Sequence, residues 1–437
     1  MFSLHHYTIV RHPRASDILV RMNIYFSGIG GVGIGPLAEI AHDAGYTVTG
    51  SDRSSSLMTD RLAARGIQTD IGTQDGTYLQ ATQDKQPIDW FIYTAALSAD
   101  HPELVLARQL GIRTAKRDEL LAHIIDDKKL QLIAVAGTHG KTTTTGMLVW
   151  TLQQLGIPVS YSIGTTISFG PSGHFDPKSQ YFVYECDEFD RNFLHFKPFL
   201  SLITSVDYDH PDTYPTEHEY LEAFSQFAAS SKQAFAWDDQ HAEIYDGQNQ
   251  VSLVEPSQVN QQLRLGGLHN RRNATLVQIA VRRLGVLQDT TDILSNFPGT
   301  DRRFEKLADN LYSDYGHHPI EIAATLQMAR ELSDHVVLVY QPHQNTRQHE
   351  LIDQYKDQFQ LADEVYWLPT YLSRENSNLP VLTPDQLIKN IPNKQHIHIA
   401  DLDDALWSTI ETARQSGKMV IGMGAGSIDS WLRQHLN

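Results

Sequence analysis

Short apolar runs rich in β-branched residues alternate along this chain with amphipathic stretches of helical length, and the alternation is played through three times. That is the pattern of parallel strands joined by crossover helices, so the sequence predicts an α/β protein of three consecutive domains. The first spans residues 22–128. It has a strand at 23–27, a glycine turn, a helix ending at Gly45, a second strand at 46–50 and a further strand within 89–104 that runs into His101-Pro102-Glu103. The second, 129–296, carries a strand before Gly137, a helix over 142–155, the β-rich runs YFVYE and FLSLIT, and a helix over 269–285. The third, 297–437, holds LYSD, HVVLVY, EVYWLP, HIHIAD and KMVIGM, the last leading into Gly422, Gly424 and Gly426.

Two glycine turns bring chemistry to this frame. Gly28-Ile29-Gly30-Gly31-Val32-Gly33 follows the first strand and opens a helix, and Asp52 ends the next strand. On spacing alone this is a dinucleotide fingerprint, with the glycines at a diphosphate and Asp52 placed for a ribose hydroxyl. The second turn lies in QLIAVAGTHGKTTTT, residues 131–145. Strand, glycine loop and helix N-terminus aim backbone N–H groups at phosphate oxygens; Lys141 adds a point charge and the Thr142 hydroxyl a ligand for Mg²⁺. The loop is shortened, because Val135 occupies the place of the usual first glycine and Gly137 stands three residues before Gly140.

Acidic residues close two strands downstream: Glu185, Asp187, Glu188 and Asp190 on one, and Asp207, Asp209 and Asp212, with His210 among them, on the other. Singly, each reads as a solvated turn. Paired behind one phosphate loop, they read as a place for a nucleotide's metal ion. Asn270 and Asn273 fall in the first turn of a helix, suited to capping or to reading a base. Arg302 and Arg303 sit on a loop, and Asp314, Tyr315, His317, His318, His343 and Arg347 gather at strand ends, fitting an anion or carboxylate site in the crevice of an open sheet.

Composition narrows the classes. With 35 basic and 52 acidic residues the formal charge is −17, which argues against nucleic-acid or anionic-membrane partners. The one cysteine, Cys186, excludes an internal disulfide framework and fits a reducing cytoplasm. No apolar run has the length of a membrane span. Residues 1–21 lack both an apolar core and a cleavage pattern, so they are expected to be a flexible extension rather than a secretory signal, with Met22 a candidate native start.

GIGGVG, GTHGKTTTT, ECDEFD, DHPDTY, HNRRNA, GTDRRFE, DYGHHPIEI and GAGSI follow one another in this order over most of the chain. The series resembles the Mur ligase family, which builds the peptide stem of the bacterial cell-wall precursor. GIGGVG, RRFE, DYGHHP and DTY point to the branch adding L-alanine rather than the branch recycling murein tripeptide. The resemblance implies a Rossmann-like N-terminal domain holding the UDP part of UDP-N-acetylmuramate rather than NAD. Gly28, Ile29, Gly30, Gly31, Val32 and Gly33 would lie at the pyrophosphate, with Ser51, Asp52 and Thr94 also on the substrate.

It further implies a central P-loop ATPase-like domain gripping ATP through Gly137, Thr138, His139, Gly140, Lys141, Thr142, Thr143, Asn270 and Asn273. Mg²⁺ would be held by Thr142, Glu185 and His210. A Rossmann-like C-terminal domain would close over both substrates, bringing Arg303 and Asp314 to ATP and Tyr315, His317 and Arg347 to the amino acid. Lys141, Glu185, His210 and Arg303 form the catalytic set the resemblance implies. The implied reaction activates the lactyl carboxylate as an acyl phosphate, which the amine of L-alanine then attacks. The implied enzyme is cytoplasmic, a monomer or homodimer.

The chain departs from the family pattern at three places. Cys186 stands for an alanine, Pro211 for a methionine, and Gln344 for an arginine on the amino-acid side, which leaves glycine and L-serine beside L-alanine as substrates. The stretch between Asp238 and Gly266 is also short. Two rival readings remain at this level: an NAD-dependent oxidoreductase, which leaves the phosphate loop unexplained, and a non-catalytic nucleotide-binding relative.

Overall fold

Strands covered by helices on both faces read as unbroken apolar runs, and such runs form the centres of three mainly parallel sheets here. The computed structural model describes residues 22–94, 97–211, 213–373 and 375–436. The expected N-terminal extension and Asp212 lie outside the described residues. The chain divides into two compact units, the first ending at Leu120 and the second beginning at Leu121. Among the described residues no helix is long and apolar enough to cross a membrane.

The first unit carries β1 (Asn23–Ser27), β2 (Thr47–Asp52), β3 (Gln68–Ile71), β4 (Trp90–Tyr93) and β5 (Arg113–Lys116), all parallel in the order β3-β2-β1-β4-β5. The order reverses between β1 and β4, which opens a crevice at their C-terminal ends, where the glycine turn lies. Tyr25, Leu79, Phe91 and Leu104 fill one face of the sheet. Among the side chains buried here is Glu103, 1% exposed. It accepts hydrogen bonds from Tyr25 Oη (2.7 Å), Ser27 Oγ (2.6 Å), Ser51 Oγ (2.8 Å) and, more weakly, the Gln74 amide (3.4 Å). A buried carboxylate is tolerated on those terms, and it also stands in the first turn of the helix Pro102–Gln109, where negative charge is favoured.

The second unit holds two sheets. The central one is built from β6 (Gln131–Ala136), β7 (Val159–Ser162), β8 (Gly173–His174), β9 (Tyr181–Glu185), β10 (Leu200–Ile203), β11 (Ala234–Trp237) and β12 (Val251–Val254), in the order β12-β11-β10-β6-β9-β7-β8. β6 lies in its middle, and the helices Lys141–Gln154 and Leu268–Arg283 bury Leu148, Leu152, Val277 and Val281 against Ile133 and Val135. The phosphate-loop helix starts one residue earlier than its pattern suggests, because Gly140, at φ +83°, ends the loop and leaves Lys141 in helical geometry.

The other sheet runs β13-β14-β18-β15-β16-β17, from β13 (Glu305–Ala308), β14 (Leu311–Asp314), β15 (Val336–Tyr340), β16 (Glu364–Trp367), β17 (Ile397–Ile399) and β18 (Met419–Met423). β13 pairs antiparallel to β14, so the expected loop through Arg302 and Arg303 gives way to an edge strand at Glu305. Alternate residues of β15 feed two cores: Val336, Leu338 and Tyr340 on one face, Val337 and Val339 on the other.

Candidate active site

β6 ends at Ala136 and the chain turns at Gly137, whose φ of +137° suits glycine; a Cβ there would stand 2.9 Å from the Ser205 amide. The loop is strapped to the segment after β10. Thr138 Oγ1 donates to the Asp207 carbonyl and accepts from the Asp207 amide, each at 2.8 Å, and the His139 amide donates to Ser205 Oγ at 2.9 Å. The loop thereby delivers the N-terminus of a 14-residue helix, a natural anion site. Lys141 Nζ donates to Glu188 Oε2 (2.7 Å) and to the Gly137 carbonyl (2.6 Å). Burial works against its charge, but the carboxylates of Glu188 and Asp187 more than offset that and raise its pKa.

β9 runs beside β6 in a register that sets Glu185 against Val135, at the mouth of the loop. Thr142 Oγ1 donates to Glu185 Oε1 at 2.8 Å, and Glu185 Oε2 accepts the Gly164 amide at 2.9 Å. A hydroxyl and a carboxylate at a phosphate loop are hard oxygen donors and fit Mg²⁺. His210, the third expected ligand, belongs to a different group. Its Nε2 lies 3.7 Å from Glu188 Oε1, and Asp187, Glu188 and His210 bring ligand atoms within 4.8 Å of one another. The cause is local: the turn after β9 carries Glu188 inward, fully buried, toward Lys141 and His210.

Beside the loop opens a cleft of about 470 Å³, lined by His139, Gly140 and Thr143 together with His269, Asn270, Asn273, Phe297 and Met328. Neither asparagine caps its helix, which begins after Gly267 with no side-chain cap. The Asn270 amide donates to the Gly266 carbonyl (2.9 Å) and touches the Met328 sulfur (3.3 Å), while Asn273 packs against Gly140. Burial pushes the His269 pKa down to about 4, so the ring is neutral.

Arg303 and Asp314 reach the same cleft. Asp314 accepts from the Gly316 amide (2.7 Å) and the Phe304 amide (2.9 Å); burial pushes its pKa up to about 6 against the pull of Arg303. Tyr315, expected on the amino-acid side, presents its ring to Arg302 and Arg303, whose guanidinium carbons lie 4.6 and 5.3 Å from the ring centroid. His317 and Arg347 do come together, His317 Nε2 against Arg347 Nη1, and Arg347 Nη2 stands 3.3 Å from Asp209 Oδ1. Burial and then Arg347 push the His317 pKa down to about 3. Burial disfavours the Asp209 carboxylate, but Arg347 and His210 prevail and hold its pKa below the usual range.

Sequence reasoning passed over Glu321, which faces His139 and Arg303, and the lysine-pairing part of Glu188. Glu321 had a visible signal, since glutamate three residues after an N-cap is a capping-box position and HPIE shows that spacing.

In the first unit the glycine turn is largely self-satisfied. The amides of Gly28 (2.8 Å) and Ile29 (3.0 Å) donate to the Ser51 carbonyl, and that of Gly30 to Asp52 Oδ2 at 2.8 Å. Asp52, expected at a ribose, thus clasps the loop through one carboxylate oxygen. The side chains of Ile29 and Ser51, two positions expected at the substrate, are fully buried, with Ser51 Oγ donating to Glu103. Thr94 lies along the turn, its Cγ2 3.4 Å from where a Gly28 Cβ would be. The tip is open, with Val32 94% exposed, and an Arg117 nitrogen stands 2.8 Å from where a Gly33 Cβ would be.

Three family models match in chain order: Mur ligase family, catalytic domain, over residues 23–129; Mur ligase middle domain over 135–256; and Mur ligase, glutamate ligase domain, over 302–426. The UDP-N-acetylmuramate–L-alanine ligase of Carboxydothermus hydrogenoformans is 31% identical over 93% of this chain and 94% of its own. That of Porphyromonas gingivalis is 32% identical over 93% and 96%. The crystal structure of the UDP-N-acetylmuramate-alanine ligase of Thermotoga maritima shares the fold, with a TM-score of 0.71 at 24% identity over 95% of this chain and 98% of that one. A murein peptide ligase from Psychrobacter arcticus shares it with a TM-score of 0.62 at 23% identity, over 95% and 98%. By three matched domains and by relatives spanning nearly its whole length, this chain belongs to the Mur ligase family.

Proposed function

We propose that this chain is an ATP-dependent ligase that joins L-alanine to the lactyl carboxylate of UDP-N-acetylmuramate in peptidoglycan precursor synthesis. The observation that carries the reading is the convergence of Lys141, Thr142 and Glu185 on one helix N-terminus, in a chain whose full-length relatives add L-alanine. The carboxylate attacks the γ-phosphorus of ATP, giving an acyl phosphate and ADP. The alanine amine then adds to that carbonyl, and phosphate leaves from the tetrahedral adduct. Charge develops on phosphoryl oxygens in both steps, so catalysis is mainly positioning and electrostatics.

Each group has a place in that scheme. The loop from Gly137 to Thr143 cradles the phosphates, Lys141 neutralises them, and Asn270 and Asn273 border the adenine side of the cleft. Thr142 and Glu185 would hold Mg²⁺, which when bound neutralises phosphate charge; His210 serves from the neighbouring acidic group. Arg303 and Asp314 contact ATP from the C-terminal sheet, while His317 and Arg347 receive the amino acid, with Arg347 suited to its carboxylate. Gly28–Gly33 and their surroundings hold the UDP portion in the first unit. The enzyme works in the cytoplasm, as a monomer or homodimer.

Gln344 keeps the choice of amino acid open to measurement. It takes a backbone φ of +61°, and its amide donates to the Tyr371 carbonyl at 2.9 Å. Phosphate release is therefore to be followed with ATP, Mg²⁺ and UDP-N-acetylmuramate plus L-alanine, glycine or L-serine in turn. L-alanine is expected to give the highest kcat/KM. Binding of ATP with no phosphate release for any of the three would count against a ligase and for a non-catalytic relative.

A further inference from the structure

Glu321 stands in the first turn of the helix Pro319–Leu332, and its two carboxylate oxygens serve different neighbours. Oε2 accepts the backbone amides of His317 (2.8 Å) and His318 (3.1 Å). Oε1 is turned into the cleft, 3.3 Å from His139 Nδ1 and 3.6 Å from Arg303 Nη1. The side chain is 15% exposed. A helix cap requires only the first oxygen. Placing the second, charged, in a nearly closed site is costly unless it is answered by cations or donors, and here two answer it.

We propose that Glu321 is a positioning residue that couples nucleotide binding to amino-acid binding. Its Oε1 sets the His139 ring in the phosphate loop and steers the Arg303 guanidinium. Its Oε2 fixes the backbone from which His317 meets Arg347. Filling either side stiffens the carboxylate that the other side uses, so each substrate binds better after the other. The assignment of the two sides rests on the ligase reading, but the coupling is measurable without turnover.

The test is Glu321→Gln. The glutamine carbonyl can still accept from His317 and His318, preserving the cap, while its NH₂ then faces two donors. Binding of the non-hydrolysable analogue AMPPNP with Mg²⁺ is to be titrated calorimetrically, alone and with saturating UDP-N-acetylmuramate plus L-alanine. In the unaltered protein the second condition should tighten AMPPNP by about 5- to 150-fold. In Glu321→Gln that enhancement should fall to near unity, and kcat should drop more than either KM accounts for. Glu321→Asp should restore part of the enhancement. The double variant Glu321→Gln with His139→Asn should be no worse than the single one, as expected for groups acting together.

An enhancement unchanged in Glu321→Gln, with activity falling only as the melting temperature falls, would overturn the proposal and leave Glu321 a helix cap. Absence of enhancement in the unaltered protein would also overturn it. Failure of the ligase reading shows separately, as no binding of UDP-N-acetylmuramate or L-alanine to the unaltered protein when each is titrated alone, or as no phosphate release with enhancement intact.

Discussion

Lys141 and Glu188 form a buried ion pair at 2.7 Å, with the lysine also drawn onto the carbonyl of Gly137 in its own loop. The cation that would meet the phosphates is thus held near its working position by a carboxylate from the neighbouring strand's turn. Lys141→Ala is expected to lower turnover by about 10³-fold, the scale seen when a positioned electrostatic group is lost. It should also destabilise the second unit by about 3–5 kcal/mol, because Glu188 is left buried without its cation. Lys141→Ala with Glu188→Gln should regain most of the melting temperature and none of the turnover. Normal activity in Lys141→Ala would remove the loop from the mechanism.

Arg347 reaches from the helix Asn345–Leu351, which follows β15, to Asp209 in the segment after β10, at 3.3 Å. Arg347→Lys keeps the charge and loses the planar fork, so the amino-acid KM should rise by roughly 10-fold or more while the ATP KM stays close to its starting value. Steady-state kinetics with each substrate varied in turn checks this. An equal rise in both constants would place Arg347 outside the amino-acid side.

Thr142 and Glu185 share one hydrogen bond of 2.8 Å at the mouth of the loop. Glu185→Gln keeps the shape and removes the charge that a divalent cation needs. Half-maximal activity is expected to require roughly 10-fold or more additional Mg²⁺, and chelation by EDTA should silence both forms. An unaltered Mg²⁺ requirement would count against Glu185 as a ligand.

Burial holds three histidines of the second unit neutral, at about 4 for His269, about 3 for His317 and about 4 for His318, against an ordinary value of 6.5. A histidine whose folded pKa lies below its unfolded one contributes stability that is complete above the unfolded value. That stability is lost as pH falls toward the folded value. By pH ~5 the loss is on the order of 2 kcal/mol per group, a serious fraction of a domain's stability. His139 acts in the opposite sense: burial opposes its charge, Glu321 more than restores it, and its share is present below 6.5 and fades as pH rises through its raised folded value. The melting temperature should therefore fall steeply between pH 6.5 and about 4. His269→Gln should make that fall shallower, and a flat profile would contradict the assignment.

The parallel α/β architecture was legible because covered strands such as VVLVY have no polar face to disguise them. The phosphate loop was legible because strand, glycine and lysine are contiguous in sequence. What escaped depends on where a turn carries a side chain. Nothing in ECDEFD distinguishes Glu185, which meets Thr142, from Glu188, which turns in to meet Lys141 and His210. Likewise Asp52 has the spacing of a ribose ligand, yet the Gly30 amide, 22 residues away in the chain, claims it. Such commitments are settled by distance in space, and residue type carries little information about them.

The carboxylate of Glu103 gathers Tyr25, Ser27, Ser51 and Gln74 into one knot beneath the first glycine turn. Removing Glu103 leaves buried hydroxyls without their acceptor, and removing any one donor leaves a buried carboxylate less fully answered. These five positions are therefore expected to drift slowly and as a set, so that a relative with an apolar residue at one should have rebuilt the others. In such a lineage the ends of β1 and β2 would be tied differently, and the first unit's turn would have been re-engineered from below rather than at its surface.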